Sequence, residues 1–419
     1  AALFKKYTSK NVFVLITGTF LSQLIPFLIS PILTRIFSPE EFGMFGLYFS
    51  ISMILSVFIT GRYEMAIMLP KSDKDAVNIV GLSLIITFVI SILLLIAVIF
   101  FKHQAAALMK SENIENWLFT LPLTMFSIGV YQAFNYWNNR KEKYKRLASS
   151  RVIRSLNTST WSLVLGFTLL KKGGLILGDA IGQSVSCMFL AGRTWKEDKN
   201  FYPEIQRSNM KEQAIRYKQF PIYNVASGLS EKMSGQMPVL LLSSFFGEAL
   251  TGFFSFSQRI VSAPGAIIAR AFGDIFRQKA SVEFAENGNC KQLFIKTFRQ
   301  LFFVSVIPFI LFYFFAPPLF GFVFGEKWIV AGEYAQIMAL LFFLQFVVSP
   351  LSNMFLVAEK QRIDLYMQVI LLVGVLLAFI GGYKIFNDPK LCVLLYTFVY
   401  SFKYLVELML SYKFSKGTK

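Results

Sequence analysis

The chain has 419 residues, 55% hydrophobic and 16% charged, with 42 Lys and Arg against 24 Asp and Glu and a formal net charge of +18. Soluble domains run about 45–50% apolar and about 25% charged, so this composition, with its mean hydropathy of +0.55, excludes a disordered protein, a secreted disulfide scaffold and an ordinary cytosolic enzyme. Three cysteines (Cys187, Cys290, Cys392) and one histidine (His103) supply no disulfide framework, no metal-ligand spacing and no histidine-based catalytic set, so neither a metal nor a cofactor is expected.

A membrane helix needs about 20 mostly apolar residues. Twelve stretches meet that length: 11–34, 42–61, 76–100, 116–137, 151–170, 174–195, 219–245, 249–272, 298–323, 334–357, 363–386 and 390–411. The weakest are the fifth, which opens with Arg151 and Arg154, and the seventh, which carries Glu231 and Lys232. Lys5, Lys6 and Lys10 precede an apolar run too long for a signal-peptide core of about 7–15 residues, so the first span is expected to stay in the membrane.

Lys and Arg set orientation. Alternate loops, with the span ends flanking them and starting from the N-terminus, hold 30 of the 42 basic residues; the other loops hold 8, and Lys232, Arg259, Arg270 and Lys403 lie within spans. Both termini are therefore expected in the cytoplasm. The same asymmetry accounts for runs such as 140-RKEKYKR-146 without nucleic acid, while leaving them free to attract anionic lipid.

The longest outer loop, about 101–115, cannot hold a domain of about 50 residues or more. The cytoplasmic stretch 196–218 separates six spans from six. The expected organisation is an N-terminal six-helix bundle over 1–195, a linker over 196–218 and a C-terminal six-helix bundle over 219–419. Within the linker, 208-SNMKE-212 reads as the capped start of a short interfacial helix with Met210, Ala214 and Tyr217 on one side. Residues 40-EEFGMFGLYFSI-51 align with 249-ALTGFFSFSQRI-260, Gly43 on Gly252, as a parallel duplication would require. The fold class that follows is all-α integral membrane: twelve transmembrane helices in two pseudo-symmetric six-helix bundles around a central cavity.

Charges at mid-bilayer usually face a cavity, pair up or mark a pathway. Glu231 and Lys232 lie near the centre of span seven and Arg259 near that of span eight, among Asn224, Ser255 and Gln258. Span one adds Gln23, and span two ends in Arg62 and Glu64. The polar spans one, two, seven and eight occupy equivalent places in the two halves, so they are expected to line the cavity. Lys232, Arg259 and Arg62 suit phosphate oxygens, while Ser255, Gln258, Asn224 and Gln23 suit sugar hydroxyls. Structural readings stand beside these: Glu231 can neutralise Lys232 or Arg259, Arg62, Glu64 and Arg270 can snorkel at helix ends, Asp179 can be an interfacial polar residue, and Lys403 with Glu407 reads as a local ion pair. Pro26 and Pro31 in span one, with Pro221 and Pro238 in span seven, are bend points or static kinks.

The segment 31-PILTRIFSPEEFGMFGLYFSISMILSVFITGRYEMAIMLP-70 resembles the first two helices of bacterial polysaccharide flippases, the O-antigen (Wzx-type) branch of the multidrug/oligosaccharidyl-lipid/polysaccharide exporter superfamily. The matching features are Leu33-Thr34-Arg35 before Ser38-Pro39, Glu41-Phe42-Gly43, and Gly61, Tyr63-Glu64, Ala66-Ile67 and Leu69-Pro70. Gly252-Phe253-Phe254-Ser255, Arg259-Ile260 and 357-VAEKQ-361 are compatible with it.

The resemblance implies two six-helix bundles in a V, and alternating access that moves an undecaprenyl-pyrophosphate-linked oligosaccharide from the cytoplasmic to the periplasmic leaflet of the bacterial inner membrane. It implies a lipid-linked oligosaccharide and membrane lipids as partners, contact with glycan polymerase machinery, and a monomer. Coupling to an H⁺ or Na⁺ gradient would fall to Glu231, Glu64 or Asp179. The competing readings are a multidrug or small-solute exporter of the same superfamily, and a membrane glycan polymerase or transferase. The second is disfavoured by the absence of a large outer loop to hold its chemistry, so no enzyme is expected.

Overall fold

The computed structural model describes residues 2–417, apart from the side chains of 2–13, 264, 266, 267, 270 and 271. Lys5, Lys6, Lys10 and Arg270, read above as topogenic or interfacial charges, fall outside the described side chains. Every regular element among the described residues is helical, and the chain divides into two compact units, Ala1–Lys232 and Met233–Lys419.

Unit 1 holds α1 (Ala2–Ile36), α2 (Pro39–Leu55), α3 (Asp73–Leu108), α4 (Leu121–Arg140), α5 (Tyr144–Gly166), α6 (Gly174–Glu197), the short α7 (Arg207–Arg216) and the start of α8 (Val225–Phe246). Local signals place the starts. Ser38 caps α2 in a reciprocal capping box with Glu41, and Pro39 occupies its first turn, where a missing N–H costs nothing. Ser72 accepts a hydrogen bond from the Asp75 N–H at 3.1 Å and caps α3. At 36 residues and about 1.5 Å per residue, α3 is far longer than the ~30 Å hydrocarbon core, and its Ile85, Phe88, Leu93 and Phe100 are exposed.

Between membrane helices apolar burial supplies little attraction, so close backbone approach does the holding. The α5–α6 seam is built that way. Gly178 lies against Ser162 and Gly182 against Thr158 and the Arg154 carbonyl, so a β-carbon at either would come within 2.8 Å of a backbone nitrogen on α5. On the other side of α5, Gly18 of α1 meets Ala148, and Arg151 Nη1 donates to Thr19 Oγ1 at 2.6 Å.

The end of unit 1 that carries its basic connections is tied by polar contacts. Asp73 receives Arg140 Nε at 2.9 Å and Lys141 Nζ at 2.7 Å. Buried Asp198 receives Trp137 Nε1 at 2.9 Å and Arg146 Nη1 at 3.1 Å. The connector after α6 is therefore docked rather than loose. Asn78 of α3 donates to the Glu204 carbonyl at 2.9 Å and accepts from the Gln206 N–H at 2.9 Å, while Ile205 and Met210 sit over Gly81. Helix α7 starts at Arg207 with Gln206 in the capping position and no side-chain cap, two residues ahead of the expected cap, Ser208. Asn78 has taken over the N-terminal region that Ser208 was expected to satisfy.

Unit 2 holds the rest of α8, then α9 (Glu248–Asn287), α10 (Lys291–Phe324), α11 (Ile329–Ile337), α12 (Ala339–Val348), α13 (Met354–Val357), α14 (Gln361–Phe386) and α15 (Pro389–Ser415). Its core is aromatic. Phe254 and Tyr396 lie edge to face at 6.0 Å, and Phe256 packs on Trp328 at 4.5 Å. Cys290 is fully buried against Met354 Sδ at 3.5 Å. The Lys403–Glu407 pair of α15 closes at 2.6 Å between a half-buried lysine and a buried glutamate, the local ion pair expected from its spacing.

Among the described residues, seven helices are long and apolar enough to cross a membrane, or eight when α11 and α12, bent by 50°, count as one span. The expected spans two, five, seven and eight correspond to α2, α5, α8 and α9, which do not pass that test. The first has only 17 residues, and the other three carry charged and hydroxyl side chains along their length.

Because backbone on α5 cannot yield, Gly182→Val is expected to destabilise the protein by about 1–3 kcal/mol. A β-carbon on Gly192, about 15 Å along the same helix at about 1.5 Å per residue, would touch nothing within 4 Å, so Gly192→Ala is expected to be neutral or slightly stabilising. Thermal melting of the purified protein in detergent checks both; equal melting temperatures for the two variants would remove the seam from the account.

Candidate functional site

The turn out of α2 is where unit 1 concentrates its unusual geometry. Gly61 and Arg62 follow one another in the left-handed region, with φ of 61° and 62°. Glycine adopts that conformation freely, whereas for an arginine it costs roughly 1–2 kcal/mol. The turn leads into a 3₁₀ segment, Tyr63–Met68. Tyr63 Oη donates to the Ala214 carbonyl of α7 at 3.0 Å, which fixes the connector to the same turn.

This backbone delivers Arg62 and Glu64 to one place. Arg62 Nη1 lies 3.9 Å from Glu64 Oε1, and the Thr60 hydroxyl donates to Glu64 Oε2. Glu64 is only 2% exposed. The guanidinium rests on Gly228 of α8, where a β-carbon would lie 2.1 Å from Nη2, so any side chain at 228 would push the guanidinium from this position. Arg62 Nε is buried without a hydrogen-bond partner. Neither residue is the snorkelling surface charge that its place near a helix end allowed.

A second polar group runs along α5. Arg154 Nη2 faces Asp179 Oδ1 of α6 at 3.5 Å, so Asp179 is half of an inter-helix pair rather than an isolated interfacial residue. One turn back, Arg151 holds Thr19, and Ser155 donates to the Ser22 carbonyl. Gln23, half-buried, follows Ser22 on α1. Arg151 and Arg154 were not among the expected site residues. Their signal was present as two arginines three apart at the mouth of the weakest span, but a count of loop charges assigns them to orientation.

The remaining expected residues divide between the units. In unit 1, Asn224 ends a π-helical turn, Phe220–Asn224, that contains Pro221. On α8, Lys232 Nζ lies 3.6 Å from Glu231 Oε1, and the Glu231 side chain is 62% exposed; Glu231 thus neutralises Lys232. In unit 2, Arg259 is exposed on α9, and Ser255, one turn before it, donates to the Gly252 carbonyl at 3.3 Å. Gln258 is hydrogen-bonded to the hydroxyl of fully buried Tyr396, which turns its amide toward the packing of unit 2.

The comparisons with known proteins agree with this helical architecture. Residues 32–333 match the family described as Polysaccharide biosynthesis protein. The chain belongs to that family. No curated protein matches its sequence. Among solved structures, the lipid II flippase MurJ in an inward closed conformation is similar with a TM-score of 0.77 at 14% identity, covering 96% of this chain and 87% of that one. An inward-facing multidrug resistance MATE family transporter gives 0.71 at 14% identity over 93% of each chain. A transporter from Pyrococcus furiosus gives 0.64 at 13% identity, over 96% and 95%. Two of the three are described as transporters of the MOP superfamily and the third as a lipid II flippase; this family member shares their fold, that of a multi-pass membrane protein.

Burial holds the Glu64 carboxyl above its usual range, against the Thr60 hydroxyl bond and the Arg62 charge that lower it. The folded protein then binds this proton more tightly than the unfolded chain does. Its contribution to stability is present at acid pH and is lost as pH rises through the raised value. The melting temperature of wild type minus that of Glu64→Gln is therefore expected to fall as pH rises from about 4, near an ordinary glutamate. A difference that stays flat to mildly alkaline pH would mean Glu64 is ionised without penalty.

Proposed function

We propose that the protein flips an undecaprenyl-pyrophosphate-linked oligosaccharide from the cytoplasmic to the periplasmic leaflet of a bacterial inner membrane, with both termini in the cytoplasm. The observation that carries this reading is the placement of arginine inside unit 1. Arg62 is packed on Gly228 with an unsatisfied Nε, and Arg151 and Arg154 line α5 with a single partner carboxylate, Asp179. Membership of a polysaccharide biosynthesis family supports a glycan as the cargo.

The chemistry is that of binding and release, with no covalent step. A pyrophosphate brings several anionic oxygens, and guanidinium groups match them with paired hydrogen bonds. In unit 1, Arg62, Arg151 and Lys232 are the groups this proposal offers to the diphosphate, with Asn224 and Gln23 for sugar hydroxyls; in unit 2, Arg259 and Ser255 offer the same two chemistries. Transport proceeds by alternating access, with Pro26 and Pro31 of α1 and Pro238 of α8 as the points where helices bend. Glu64 is the preferred coupling group, since it is a buried carboxyl beside a cation that the substrate would engage. Protonation would release Arg62 from it, so an H⁺ gradient can bias which partner Arg62 takes.

Complementation of a polysaccharide-flippase deletion, scored by surface glycan, tests this. A lost charge-assisted bond is worth about 1.5–3 kcal/mol, so Arg62→Ala, Lys232→Ala and Arg259→Ala are each expected to cut export about tenfold or more at equal protein level. If Lys232→Ala and Arg259→Ala both leave export intact, the cationic site is wrong. Failure of wild type to complement, with export of organic cations instead, would favour a multidrug exporter.

A further inference from the structure

Unit 1 has a concavity whose lining includes neither Arg62 nor the α5 arginines. It is a groove of about 650 Å³ between α3, α4 and α6, with walls that are almost wholly apolar. Ile85 and Phe88 of α3 and Phe126 of α4 form one side, with the two phenyl rings edge to face at 6.5 Å. Gly192 of α6 opens the floor, since a β-carbon there would meet nothing within 4 Å.

The mouth of the groove differs from its walls. Trp195 and Lys196, in the last turn of α6, stand there. Trp195 is held flat by Tyr202 of the connector, ring centroids 4.2 Å apart. Arg193 beside it is paired with Glu197 at 3.8 Å, whereas Lys196 is exposed and enters no ion pair among the described residues. A tryptophan and an unpaired lysine at a helix end are the groups that sit at a membrane–water interface.

We infer that this groove is a binding site for one anionic phospholipid, its acyl chain lying along Phe88, Phe126 and Gly192 and its phosphate at Lys196. The volume lies within the roughly 300–1,000 Å³ of specific ligand pockets. The walls offer no polar group to an oligosaccharide, which excludes the glycan. The cation at the mouth selects charge: a basic residue at a membrane surface favours an anionic over a neutral lipid by about fivefold. The site is independent of the transported substrate.

Native mass spectrometry of the full chain, purified in detergent and titrated with dioleoyl phosphatidylglycerol or dioleoyl phosphatidylcholine, tests the assignment. Wild type is expected to hold its first phosphatidylglycerol about fivefold more tightly than phosphatidylcholine. Lys196→Gln should abolish the preference, and Gly192→Phe should release the lipid whatever its headgroup, with wild-type melting temperature; Gly192→Met serves if the larger ring disturbs folding. Retention of lipid by both Gly192 variants, or an unchanged preference in Lys196→Gln, overturns the proposal. So does displacement of phosphatidylglycerol by an equal concentration of farnesyl phosphate, which would give the groove to an isoprenyl chain.

Discussion

Helix α5 can lie inside unit 1 only because its neighbours come close enough to satisfy it. Its sequence, with Arg151, Arg154, Ser155, Asn157 and Thr158, is too polar to be stable against lipid. Gly178 and Gly182 on α6 and Gly18 on α1 remove the side chains that would hold the backbones apart. At that distance Arg154 reaches Asp179, Arg151 reaches Thr19 and Ser155 reaches the Ser22 carbonyl. The order of cause runs from small residues to close approach, and from close approach to charges that survive in the membrane. The rest of unit 1 is arranged around this plank. Helix α3 exposes an apolar side and buries Asn78, Ser83 and Thr87, and α4 and α6 carry further buried Ser, Thr and Asn side chains.

The same reasoning explains what the sequence could disclose. Hydrophobic length located the membrane-crossing segments, because a run such as 76–100 has no other physical explanation. Hydrophobic length alone placed the second span at 42–61, whereas the Ser38 cap starts α2 at Pro39. Local spacing found the Lys403–Glu407 pair, since residues four apart share a helix face. What stayed hidden were partners distant in sequence. Nothing local says that Asp179 meets Arg154, that Arg62 rests on Gly228, or that Asn78 ties down the connector at Glu204 and Gln206. Loop-charge counting also misdirects at one point: it treats every arginine near a span end as topogenic, and so passes over Arg151 and Arg154. The connector over 196–218 reads as a linker from composition, yet Asp198, Ile205, Met210 and Ala214 each have a partner in unit 1.

Those partners give the connector a mechanical meaning. Its first part is anchored by Asp198 to Trp137 and Arg146, its middle by Asn78, and its last part by the Tyr63 hydroxyl. The final anchor is one residue from Arg62 and Glu64. A shift of α7 along unit 1 would therefore act on the same turn that holds the buried carboxyl and its guanidinium.

That turn combines three features which are each costly alone. Arg62 adopts a left-handed backbone that a glycine would take more easily, its Nε is buried without a partner, and Glu64 is a carboxyl almost sealed from solvent. Packing for its own sake would favour glycine at 62 and an amide or apolar residue at 64. Strain and unsatisfied groups persist where the surrounding structure holds them for a purpose, and here the surroundings do so at both ends, through Gly228 against the guanidinium and Thr60 on the carboxyl. An arginine held 3.9 Å from its carboxylate, beyond a good hydrogen bond, is not fully committed to it. A weakly held cation next to a buried acid that prefers its proton is a pair that a dianionic ligand or a change in proton supply can rearrange at low cost.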